Sequence, residues 1–155
     1  MNRVNPRLRH FAWRLTVFEA RGNQSLTTKT PTAFSAAEKL HPQLASLMGE
    51  DGFRALLGRA LALAGAEVPW LRTVQVTADG SLAGLAEVQA QFGPDDFFEG
   101  GVVLLAELLG LLAAFIGENL TVRLVHEVWP KVPPNGLDLE NRGKNENGDK
   151  NEKTK

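Results

Sequence analysis

The histidines and isolated acids are the residues whose types could carry chemistry. His126-Glu127 begins as the zinc-binding helix of a metalloprotease does, but that motif needs a second His four positions after the first, and position 130 is Pro. His10, His41 and His126 are scattered along the chain, and there is no Cys. Dispersed imidazoles without thiolates read as surface or packing residues, so no metal and no cofactor are expected. Gly49-Glu50-Asp51-Gly52 precedes a helical pattern as a phosphate loop would. Its two acids would repel phosphate and no Lys follows, so that reading fails. Glu107 remains, the single ionisable group in GGVVLLAELLGLLAAFIG, residues 100–117. If buried, its pKa rises or it takes a partner, for which Arg123 is the candidate. If the face around it is wet, it is simply exposed. None of these groups forms a catalytic set, and the chain reads as no enzyme.

The element that positions Glu107 is the apolar run itself. At about 100° per residue, Leu104, Leu105, Leu108, Leu109, Leu111, Leu112, Phe115 and Ile116 share one wide face. Ala106, Gly110, Ala113, Ala114 and Gly117 share the other, with Glu107 at its edge. The large residues form two adjacent seams of knobs-into-holes spacing, so one helix can serve two neighbours. The small face lets a third backbone, or a partner, come close. These small residues with Glu107 and Arg123 are the candidate interaction residues. Eighteen residues would span about 27 Å, near the bilayer core thickness of about 30 Å. The flanks oppose a transmembrane reading, because seven acids and no Lys or Arg lie between Arg72 and Arg123. A buried hub helix over about 97–117 is the expectation.

The other elements follow from periodicity. Residues 4–20 read as a basic amphipathic helix with Val4, Leu8, Phe11, Leu15 and Phe18 inward and Arg7, Arg14 and Arg21 along its edge. Such a helix docks on the body, lies on an anionic surface, or belongs to a transit peptide. Residues 23–32 read as a linker. Residues 33–49 read as a helix with a capping box at Ser35 and Glu38, kinked or split at Pro42. Residues 50–66 form the most regular amphipathic pattern. Val74 and Val76 alternate with polar neighbours ahead of Asp79-Gly80, which predicts a short β-hairpin near 72–82. A helix over 83–92 and a last one over 119–129, capped by Asn119, complete the set. A break near 117–119 is required, because an unbroken helix would carry Arg123, His126 and Glu127 onto the leucine face.

The 155-residue chain suits one domain, 33–132, with a leader at 1–32 and a polar, disordered tail at 133–155. Residues 1–32 hold six cations and one acid, and residues 33–132 hold six cations and twelve acids. An acidic body argues against nucleic-acid binding. The fold class is mainly α, a small helical bundle around the central apolar helix. The function expected is a non-enzymatic protein–protein interaction or regulatory module that self-associates. The alternative is a peripheral membrane-associated protein that uses the basic leader.

MGEDGFRALLGRALALAGAEVPWLRTVQVTADGSLAGL and FFEGGVVLLAELLGLLAAFIGENLTVRLVHEVWPKVP resemble a group of small uncharacterised bacterial helical proteins, over about residues 33–134. The resemblance implies a bacterial cytoplasmic setting, with an organelle as the alternative if 1–32 is a transit peptide. It implies no activity, site or partner.

Overall fold

The computed structural model describes residues 6–22 and 32–132. The fold is mainly helical, with five helices and one two-stranded hairpin among these residues. Helix α1 spans Pro6–Gly22 and α2 spans Ser35–Glu67. A 3-10 turn at Pro69–Thr73 leads into β1, Gln75–Val76, and β2, Leu82–Ala83. Helices α3 (Leu85–Gln91), α4 (Pro94–Ile116) and α5 (Glu118–Val128) follow. The expected linker 23–32, except Thr32, which begins a 3-10 turn, and the tail 133–155 lie outside the described residues.

Helix α4 is the hub. It packs against α1, α2, α3 and α5, and its residues 100–109 are buried around the whole circumference. It starts at Pro94, where the missing N–H costs nothing, and Asp95 and Asp96 sit in a first turn that favours anions. The seam residues Leu104, Leu105, Leu108, Leu109 and Leu112 are all buried. Beyond Leu109 one side opens, and Phe115 ends 67% exposed. Among the described residues α4 alone has the length and composition to cross a bilayer, and most of its apolar stretch is instead buried against the protein. The expected break falls at Gly117, whose φ of 95° requires glycine and re-aims α5 so that Val125 points inward.

Two glycines missed as contact points set how closely α4 is approached. A Cβ on Gly101 would lie 2.0 Å from the Ala33 carbonyl oxygen, and one on Gly100 would lie 2.4 Å from the Trp70 ring. Here backbone and indole lie where any side chain would stand. Trp70 in turn stacks between Phe92 (centroids 5.5 Å apart) and Phe97 (5.8 Å).

Helix α2 keeps the expected boundary at Gly49 and corrects the expected break at Pro42. Pro42 is accommodated on an exposed position inside the helix, and the kink comes at Gly49 (φ 84°, ψ 162°). Pro lacks a hydrogen-bond donor but leaves the rest of its turn intact, whereas φ of 84° takes the backbone out of the helix altogether. The helix start is also corrected. Phe34 holds the cap position, with no side-chain cap bond, because Ser35 is already helical and buried. Likewise Gly117, not Asn119, precedes the first turn of α5. The hairpin forms where the alternation placed it, antiparallel, with Gln75 opposite Ala83 and Val76 opposite Leu82.

Candidate functional site

Helix α1 packs along α4 through Leu8, Phe11, Ala12 and Leu15, all buried. This docking brings Arg9 to a cluster of acids that sequence distance conceals. The Arg9 guanidinium donates to Glu67 Oε2 at the end of α2 and to Glu99 Oε2 in α4. Burial alone would lower its pKa, but the Glu67 bond and the Glu99 and Glu67 charges outweigh that and hold it above its usual range. Glu107 lies in the same neighbourhood, only 7% exposed. Burial raises its carboxyl pKa, the Glu67 charge raises it further, and Arg9 offsets part of the rise. The partner read from the sequence was Arg123, which is exposed on α5 and forms no ion pair with it. The cation facing Glu107 is Arg9, from a helix ninety-odd residues earlier in the chain. Nothing in the periodicity of residues 100–117 encodes that.

A second buried acid, Glu19, ties the other end of α1. Its Oε2 accepts from the Trp129 indole N–H at 2.7 Å and from Lys39 Nζ at 2.9 Å. Trp129 is fully buried, so this bond satisfies a donor that water cannot reach. The sequence signal was present, since Glu19 is the single acid among residues 1–32.

The region where α2, the end of α4 and α5 meet is different in character. A groove of about 300 Å³ is lined by Leu47, Ile116, Leu120 and Leu124 together with the polar Gln43, Ser46, Arg123 and Glu127. Leu47 is 50% exposed, Leu120 48%, and Phe115 extends the same helix end. Large apolar side chains left in water this close together mark a contact surface.

A larger cavity, about 620 Å³, lies between α2, the hairpin turn and α3. His41 and Phe53 stack in its wall with centroids 4.2 Å apart, and His41 Nε2 meets Glu50 Oε1 at 2.8 Å. Asp79 closes the hairpin turn. Ser81 and Thr77 donate to its carboxylate and hold its pKa at about 2. These bonds build the hairpin turn. Among the described residues no group of three His, Asp or Glu could hold a metal ion.

The candidate interaction residues therefore separate. Ala106 and Glu107 are inside the protein, covered within this chain. Gly110 and Ala113 are half-buried, and Ala114, Gly117 and Arg123 are exposed. On α1, Arg7 and Arg21 are exposed, and the Arg14 guanidinium sits 5.6 Å from the Phe11 ring centroid. No protein-family model, curated protein or solved structure matches the chain.

Proposed function

We propose that this protein is a non-enzymatic interaction module that pairs with a second copy of itself through the corner formed by Leu47, Phe115, Ile116 and Leu120. The observation that carries this reading is the exposure of Phe115, Leu47 and Leu120 at a groove between α2 and α5, in a protein whose leucines at 104, 105, 108, 109 and 112 of α4 are buried. The rim favours a like partner. Arg123 and Glu127 are exposed one turn apart on α5 with no ion pair between them, so a two-fold axis can set each against its opposite in the other copy. A self-complementary patch of opposite charges around an apolar centre is the arrangement of an isologous dimer.

Light scattering on the full chain at tens of micromolar tests this, with Phe115→Glu and Leu120→Glu together as the disrupting change. The chain runs as a dimer and the double variant as a monomer with unchanged helix content. A monomeric parent chain at that concentration overturns the reading.

A further inference from the structure

Helix α1 has a second face that its docking on α4 leaves outside. At about 100° per residue, Arg7, His10, Arg14, Val17 and Arg21 fall on one arc, bounded by Trp13 on one side and Phe18 on the other. Trp13 is 46% exposed and Phe18 37%, with His10 stacked on Trp13 at 5.9 Å between centroids. The three arginines recur every seven residues and run about 21 Å along the helix. Among the described residues of α1, no acid falls on this arc. The single acid of α1, Glu19, is buried on Trp129 and Lys39. Glu67 and Glu99, which reach α1 from the body, are bonded to Arg9.

A row of arginines with a half-exposed Trp and Phe on its two flanks matches an anionic lipid surface, with phosphates before the guanidinium groups and the rings at the polar headgroup level beside them. We propose that the outward face of α1 docks on an anionic lipid surface. The helix does this in place. Leu8, Phe11 and Leu15 stay against α4, so docking requires no release of α1 and no unfolding. The helix lies in the plane of the surface, Trp13 and Phe18 enter the headgroup boundary, and Arg14 and Arg21 meet lipid phosphates. The face shares no residue with the corner proposed for self-association, and the two readings stand or fall separately.

Flotation of the full chain with vesicles of phosphatidylcholine alone, and with added phosphatidylglycerol, tests the proposal. The chain is expected to float with the phosphatidylglycerol vesicles only, less as salt rises. Tryptophan emission is expected to shift blue on binding, and to lose that shift in Trp13→Phe, since Trp129 is buried and Trp70 is stacked between two rings. Each arginine near such a surface is worth about 1 kcal/mol, so Arg14→Gln with Arg21→Gln lowers partition about 25-fold. Circular dichroism confirms that the double variant keeps its helices. Absence of binding, equal binding to both vesicle types, or full binding by the double variant overturns the proposal. So does tighter binding to a DNA duplex than to the vesicles at the same salt, with Trp13 emission unchanged, which assigns the arginines to nucleic acid instead.

Discussion

Replacing Gly101 by Ala tests how α4 is seated. The new Cβ would lie 2.0 Å from the Ala33 carbonyl oxygen and 2.7 Å from its carbonyl carbon. An ordinary carbon contact is about 3.5 Å, so the two backbones must part by more than 1 Å. Neither side can yield by rotating a side chain, because the obstacle is main chain and Gly101 sits where α4 is buried all round. Overpacking a well-filled core costs about 1–3 kcal/mol, and a backbone obstacle places this substitution at or above the upper end. A loss of about 3 kcal/mol corresponds to a fall of about 6–12 °C in Tm for a chain of this size. Gly58→Ala supplies the contrast. It adds the same methyl group inside α2, where nothing lies within 4 Å. There the reduced backbone entropy of the unfolded chain and better helix propensity should stabilise by about 0.5–1 kcal/mol. Urea unfolding of both variants, followed by circular dichroism, measures the difference. If Gly101→Ala unfolds within about 0.5 kcal/mol of the parent, the close seating of α4 on Ala33 is wrong.

Glu107 and Trp129 give two further predictions. The Glu107 pKa is raised in the folded state, mainly by burial and then by Glu67. Its contribution to stability is therefore complete below the unfolded value of about 4.3 and is lost as pH rises through the folded one. Glu107→Gln should consequently be more stable than the parent at neutral pH, with an advantage that shrinks as the solution is acidified. Unfolding free energies measured across that range decide it, and an advantage that does not vary with pH refutes the burial argument. Trp129→Phe removes the 2.7 Å bond to Glu19 and part of a fully buried ring, and should cost about 2–4 kcal/mol. Lys39→Ala removes a half-exposed partner of the same carboxylate and should cost less than about 1 kcal/mol. Equal losses in the two variants would show that the indole bond is not the anchor.

Several features were legible in the order of residues. The 3-to-4 spacing of leucines through 104–112 determines a helix and its inward side, because burial of one stripe is a local property of the helix period. The Val74 and Val76 alternation ahead of Asp79-Gly80 determines a hairpin for a similar reason. The need to keep Arg123 and Glu127 off the leucine face determines a break, and glycine at 117 supplies it. Local pattern placed a boundary at Gly49, between the 33–49 and 50–66 patterns, but could not show that Pro42 leaves its helix unbroken. A proline inside a helix forfeits one hydrogen bond, and whether the helix continues through it depends on the packing of the turns around it. Nor could it say what covers the small residues of α4. A face of Ala and Gly admits a close neighbour without naming it, and one close approach proved to be Ala33 against Gly101, outside the glycine–alanine run at 106–117. The fate of Glu107 was decided first by its burial and then by Glu67 and Arg9, distant in sequence from it and from each other. Periodicity states which side of a helix turns inward. Which charges meet there depends on how α1 and α2 are laid across it, and that is settled when the helices pack.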